Sequence, residues 1–310
     1  MNREICVQQI CKSYGNVRAL QSVTFHVKEG ELFGLIGPDG SGKTSLFRIL
    51  TTLLLADSGT ATVCGLDVVR DYRQIRWHVG YMPGRFSLYP DLTVEENLNF
   101  FATLFHTTVR ENYGLIRDIY QQIEPFKHRK AGALSGGMKQ KLALSCALIH
   151  RPDILFLDEP TTGVDPVSRI EFWNMLDRLR AEGITILIST PYMDEASRCG
   201  RIALMCEGQC LTIDTPDAIR ASYKGHLYAA RSTEMFQLLT DIRAYPGIQS
   251  CYAFGDCHHL CVSSQKIEEE GEQTFLHALT VFLTKRGHQE LQLYPIKPSI
   301  EDCFIDLNKY

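Results

Sequence analysis

Several features are missing from this chain of 310 residues, and each absence narrows what it can be. No apolar run approaches the roughly 20 residues that span a bilayer. The longest clean stretches, such as Ile184 to Ile188, have the length of a buried strand. The first residues, Met1-Asn2-Arg3-Glu4, lack the apolar core of a secretory signal. Neither charge sign dominates: 32 Lys and Arg against 36 Asp and Glu leave a formal net charge of −4. That balance argues against broad attraction to nucleic acid or anionic lipid. Repeats and low-complexity tracts are absent, and the eleven cysteines contain no Cys-x-x-Cys pair. An odd number of scattered cysteines reads as reduced, mostly buried thiols, so the chain is expected to be soluble and cytosolic. The densest group is Cys257-His258-His259-Leu260-Cys261, which would put Cys257, His259 and Cys261 on one strand face. Structural zinc sites usually use Cys pairs spaced by two residues, so a plain strand is the better reading there.

What is present suits a globular protein of about two domains. The first two-thirds alternate short apolar strands with helical stretches, which predicts an α/β fold with a largely parallel sheet. Strands are expected at Glu31 to Ile36, Asp153 to Asp158 and Ile184 to Ser189. Helices are expected at Lys43 to Leu54, Thr93 to Phe105, Glu111 to Ile123 and Pro166 to Glu182, the last closed by Gly183. Near Ser222 to Gly225 the character changes. The rest reads strand (Leu227 to Arg231), helix (Glu234 to Arg243), strand (Ile248 to Phe254), strand (His258 to Ser263), helix (Glu268 to Arg286) and strand (Glu290 to Tyr294). Gly255-Asp256 would make the turn between the middle strands. Ser299 with Asp302 predicts a capping box on a final helix. This βαββαβ order suggests a small α+β ferredoxin-like module.

Three segments carry chemistry. Gly37-Pro38-Asp39-Gly40-Ser41-Gly42-Lys43-Thr44 fits GxxxxGK[ST] between a strand and a helix. Its glycines let backbone N–H groups turn inward around phosphate oxygens, at a helix N-terminus whose dipole favours an anion. Lys43 would supply charge to the β and γ phosphates, and the Thr44 hydroxyl could ligate Mg²⁺. The strand Ile154 to Asp158 ends in two carboxylates. Asp158 suits the Mg²⁺ shell, and Glu159 suits the orientation and deprotonation of water beside the γ phosphate. Leu134-Ser135-Gly136-Gly137-Met138-Lys139-Gln140 sets Ser135, Gly136 and Gly137 at a second helix N-terminus, as a phosphate-binding backbone or an ordinary cap.

In this order the three segments resemble the ATP-binding subunit of an ABC transporter, over about residues 3 to 222. The resemblance implies a P-loop ABC-type cassette at 1–222, with a helical subdomain at about 85–145 and the accessory α+β module at 223–310. It implies a head-to-tail dimer with a second ATP-binding subunit, identical or different, each Mg-ATP lying between one P-loop and the other subunit's Ser135-Gly136-Gly137. Tyr14 matches the aromatic that stacks on adenine, and Asp165 matches a contact to the opposite subunit. Separate transmembrane permease subunits would be the partners, and the location the cytoplasmic face of the membrane. Gly84 to Leu98 is similar to the region that meets them, with Phe86, Leu88 and Tyr89 as candidate contacts or as packing of the subdomain. The tail from Pro298 to Leu307 resembles exporter-type subunits.

Two positions depart from the family pattern. Gly84 follows Tyr81-Met82-Pro83 where the family has Gln, and Pro191 follows Ser189-Thr190 where it has His. Glycine offers no side-chain carbonyl, and proline neither a side-chain donor nor a backbone N–H. Losing one positioned donor typically costs on the order of 10²–10³ in rate. Slow hydrolysis is therefore expected, with Ser135-Gly136-Gly137 completing the site of an intact partner, unless a neighbour such as Tyr192 substitutes. The alternatives are a soluble non-transport ABC ATPase and a non-hydrolysing regulatory ATP-binding protein.

Overall fold

Alternating apolar residues start the fold. In the computed structural model, which describes residues 2–85 and 87–308, β1 (Ile5–Tyr14) and β2 (Val17–Val27) pair antiparallel. Ile5, Val7, Val23, Phe25 and Val27 turn inward from them. With β4 (Ser58–Val63) and β5 (Leu66–Asp67) they form a sheet in the order β2-β1-β4-β5. The central strands are uniformly buried, as the strands of a sheet covered on both faces must be. They are β3 (Leu32–Ile36), β7 (Ile154–Asp158) and β8 (Thr185–Thr190). Together with β6 (Val79–Met82), β9 (Arg201–Cys206) and β10 (Gln209–Asp214) they build a sheet in the order β10-β9-β3-β8-β7-β6. Five strands run parallel, and β10 adds an antiparallel edge. One core spans both sheets and the helix α1 (Lys43–Leu50), with Phe47 edge-on to Phe156 at 6.0 Å.

Helix boundaries follow local chemistry. α1 stops at Leu50, short of the expected Leu54, because Thr52 takes a positive φ of 64°. After α2 (Tyr72–His78) come α3 (Val94–Leu104), α4 (Val109–Tyr120) and α5 (Gly136–Leu148). Thr93 and Thr108 close capping boxes with Glu96 and Glu111. Glu111 is thus the third residue of α4 and not its first. α6 (Pro166–Ala181) begins with Asp165 as its cap and is followed by Gly183 at φ 87°.

The chain divides into two compact units, one of residues up to Asp217 with the last turn from Asp306, the other Ala218–Ile305. The short α7 (Pro216–Ala221) runs across that boundary. The second unit contains β11 (His226–Arg231), α8 (Met235–Arg243), β12 (Ile248–Phe254) and β13 (Cys257–Val262). α9 (Ser264–Glu270), α10 (Glu272–Lys285) and β14 (Gln292–Pro295) follow. Its sheet is antiparallel throughout, in the order β12-β13-β11-β14, the arrangement of a ferredoxin-like βαββαβ module. The single helix expected over Glu268 to Arg286 is two helices, split where Gly271 takes φ 82° and ψ 140°. Gly255-Asp256 joins the middle strands, and Ser299 and Asp302 exchange the expected capping bonds before α11 (Ile300–Leu307). Seven of the eleven cysteines are buried, as thiols. In β13, His259 meets the Asp302 carboxylate at 2.9 Å, and Cys261 donates to Gln249 Oε1 at 3.5 Å.

Candidate functional site

β3 leads into Gly37–Thr44, where the glycines are required by close approach. A Cβ on Gly37 would stand 2.1 Å from the Met205 carbonyl oxygen, and one on Gly42 2.2 Å from that of Ala19. Gly42 also holds φ 98° and caps α1 without a side chain, leaving the first turn without a side-chain acceptor. Ser41 N–H closes the turn on the Pro38 carbonyl at 3.2 Å. Lys43 is only 3% exposed and folds back over the loop. It donates to the carbonyls of Gly37 at 2.8 Å and Pro38 at 3.0 Å, and lies 3.4 Å from Glu159 Oε1. The Ser41 hydroxyl is buried with no partner. Lys43 borders a cavity of about 240 Å³ lined also by Gly40, Gly42, Thr44, Ser45 and Glu159, with Ala19. A buried ammonium, an orphaned hydroxyl and an uncapped helix start together fit a polyphosphate.

The carboxylate pair is held by a residue that the sequence did not single out. Ser189 donates its hydroxyl to Asp158 Oδ1 at 2.6 Å, and its own Oγ accepts the Glu159 N–H at 3.0 Å. Asp158 is buried, and Glu159 adopts φ 50°, a left-handed conformation that costs a residue with a Cβ about 1 kcal/mol or more. Gly84 lies against this strand tip: a Cβ there would be 3.0 Å from the Asp158 carbonyl oxygen and 3.7 Å from Glu159 Cβ. Pro191 follows Thr190, whose carbonyl accepts the Gly37 N–H at 3.3 Å. Both departures therefore sit beside the loop and the carboxylates. Tyr192 is engaged elsewhere, with the Arg169 guanidinium 4.3 Å from its ring centre.

A second unanticipated residue, Glu195, ties this region together from a site 3% exposed. Its Oε2 accepts from Thr161 at 3.0 Å and from Thr190 at 2.6 Å, while Arg169 Nε lies 3.6 Å from Oε1. No motif spacing marks Ser189 or Glu195, because each acts on residues of other elements. Ala19 meets Gly42 through its backbone carbonyl, a contact that carries no side-chain signal.

Ser135 caps α5, its hydroxyl accepting from Met138 N–H at 3.4 Å. Gly136 and Gly137 let this helix start pack on the turn from Gly163 to Ser168; a Cβ on Gly137 would be 2.8 Å from Ser168 Oγ. Asp165 caps α6 through Ser168 N–H at 3.0 Å. None of these residues lines the Lys43 cavity. Tyr14 does stand beside α1, 46% exposed, with its hydroxyl 3.3 Å from Ser45 Oγ.

Of the other surface candidates, Tyr89 is half exposed and packs edge-on to Phe100 at 4.9 Å. Leu88 is buried and follows the packing alternative, and Phe86 lies outside the described residues. Leu88 lines an apolar cavity of about 310 Å³ with Met82, Phe101, Phe105, Cys146 and His150 among its walls. Burial pushes His150 down to about 4, so its ring is neutral where it stacks on Phe105 at 3.8 Å.

Comparison with known proteins follows the same residues. A family profile described as ABC transporter matches residues 20–162. The "Probable multidrug ABC transporter ATP-binding protein YbhF" of Escherichia coli K12 is 41% identical over 69% of this chain, which spans only 37% of that relative. The Nod factor export ATP-binding protein I of Paraburkholderia xenovorans LB400 is 39% identical, covering 70% of this chain and 72% of its own. Among solved structures, a dimeric bacterial ABC transporter cassette is similar at TM-score 0.62 and 26% identity, over 68% of this chain and 98% of that one. A cassette bound to ADP and Pi in a post-hydrolysis state is similar at TM-score 0.62 and 25% identity, with the same coverage.

Proposed function

Because this chain belongs to the ABC transporter family of ATP-binding proteins, we propose that it is the ATP-binding subunit of an exporter, driving separate membrane permease subunits. The observation that carries this reading is the glycine-walled cavity in which buried Lys43 and Glu159 converge. The Gly37–Thr44 loop receives the phosphates of ATP, and Lys43 exchanges its carbonyl partners for phosphate oxygens. Thr44 and Asp158 hold Mg²⁺, which supplies charge neutralisation of the phosphates when bound. Tyr14 stacks on the base. Glu159, held by Ser189, is the general base toward water. Ser135, Gly136 and Gly137 stand apart from this cavity and serve the site of a second ATP-binding subunit, with Asp165 at the same face. The names of relatives concerned with multidrug transport and Nod factor export support export. Among the described residues no helix is long and apolar enough to cross a membrane. The protein works on the cytoplasmic face through partners, docking them over Gly84 to Leu98 and the apolar cavity beside it. Residues 223–310 form the accessory module.

Gly84 and Pro191 make hydrolysis by the chain's own site slow, and the active site it completes is on an intact partner. The same two residues favour the second reading, a regulatory subunit that binds ATP without turnover. Equilibrium ATP binding and ATPase assays on the purified chain test this. Tight binding lost in Lys43→Ala, with little turnover until a second cassette is added, is the expected result. Brisk turnover by the chain alone, abolished by Glu159→Gln, would sink the asymmetric pair. Absence of ATP binding would sink the assignment itself.

A further inference from the structure

Far from the loop in sequence role, the first hairpin gathers a sulfur, a nitrogen and an oxygen ligand. Cys6 and His26 face each other across the antiparallel β1–β2 ladder. Glu4 precedes Cys6 by two residues and so shares its face. The Glu4 carboxylate, the Cys6 thiol and the His26 ring place one ligand atom each within 4.8 Å of one another. All three residues are partly exposed, so an ion has a route in.

The backbone beneath this group is fixed from outside the hairpin. The Glu4 carbonyl accepts the Cys64 N–H at 3.0 Å, and the His26 carbonyl accepts from Arg201 Nη1 at 3.2 Å. Asn2 Nδ2 donates to Glu4 Oε2 at 2.8 Å and orients the carboxylate, as an outer partner of a metal ligand does.

We propose that Glu4, Cys6 and His26 form a zinc site with one coordination position open to water. The donor set selects the metal: a thiolate, an imidazole and a carboxylate suit Zn²⁺, whereas Ca²⁺ and Mg²⁺ require oxygen ligands. The spacing fits as well. Tetrahedral bonds of roughly 2.0–2.1 Å to nitrogen and oxygen give a ligand–ligand edge of about 3.3 Å. His26 Nε2 and Glu4 Oε2 are 3.3 Å apart. Binding displaces the Cys6 proton to solvent, leaves the His26 ring proton on Nδ1 and not on Nε2, and replaces the His26–Glu4 contact with two metal bonds.

The experiment adds Zn²⁺ to the metal-free full chain under reducing conditions and follows binding by calorimetry, with Co²⁺ as a spectroscopic probe. The expected result is one Zn²⁺ per chain and a thiolate-to-Co²⁺ charge-transfer band. Cys6→Ser and His26→Gln should each weaken Zn²⁺ binding at least about tenfold, and Cys6→Ser should abolish the band. Cys257→Ser, in the second unit, should leave both unchanged. The proposal is overturned if the wild type binds Zn²⁺ no better than Cys6→Ser, or if Cys257→Ser removes the band. Circular dichroism of each variant separates loss of ligand from loss of fold, and rescue of Co²⁺ binding by Cys6→His gives a folded variant that still reads the site.

Discussion

Replacing Glu195 by alanine removes a carboxylate on which three side chains converge. Thr161 and Thr190 donate to it at 3.0 and 2.6 Å, and Arg169 stands 3.6 Å away. Truncation leaves two hydroxyls without their acceptor; Thr161 and Thr190 are both buried. Each such orphan costs about 1–3 kcal/mol. The Arg169 side chain is a quarter exposed, so solvent softens the loss of its partner. The two orphans together come to about 2–6 kcal/mol, a range that contains the roughly 3–5 kcal/mol of breaking a buried charged pair. Glu195→Gln keeps one acceptor oxygen of similar shape and should lose about half as much. Urea unfolding of wild type and both variants measures this, and the midpoint should fall in the order wild type, Gln, Ala. Thr161 follows Glu159 by two residues and Thr190 precedes Pro191, so ATP affinity should fall in the same order. An alanine variant that loses under about 1 kcal/mol would refute the idea that this carboxylate braces the two loops.

Other outcomes follow from the same geometry. Gly37→Ala drives a methyl against the Met205 carbonyl at 2.1 Å, so ATP binding should vanish while circular dichroism still reports a folded second unit. Gly84→Gln together with Pro191→His should raise ATP turnover by about 10²-fold or more if the missing side chains limit the rate, measured with the partner cassette absent. The Gln at position 84 must relax by a few tenths of an ångström from the Asp158 carbonyl, so the histidine change alone should be the better tolerated. His150 keeps a folded pKa of about 4 against an ordinary 6.5, so the unfolded chain takes up this proton first as pH falls. Its contribution is complete above about pH 6.5 and is lost between there and pH 4, reaching roughly 3 kcal/mol at most. His150→Phe should flatten that part of the acid-unfolding curve.

Local patterns carried much of the architecture. The glycine-rich loop, the carboxylate-tipped strand and the Ser-Gly-Gly helix start each lie within a few consecutive residues, and each lies where its spacing placed it. Helix ends were less legible. Gly271 splits one expected helix because its φ of 82° breaks the ladder, and Thr52 ends another in the same way. Leu88 read equally as a partner contact or as packing of the subdomain, and it packs into a cavity whose walls include residues of α3, α5 and β6.

The sequence by itself determined where the glycine-rich loop and the carboxylate-tipped strand lie, because both are built from neighbours in the chain and leave a fixed spacing. It also revealed the two departures at Gly84 and Pro191. Only the tertiary structure decided how those parts are held. Ser189 holds the Asp158 carboxylate and the Glu159 backbone N–H from the adjacent strand, Glu195 joins two segments from beyond the strand end, and the Ala19 carbonyl walls the glycine-rich loop. The grouping of Glu4, Cys6 and His26 is of the same kind, created by strand register. Contacts of this sort depend on which strands become neighbours, and that is set by burial across the whole sheet, which no short stretch of residues records.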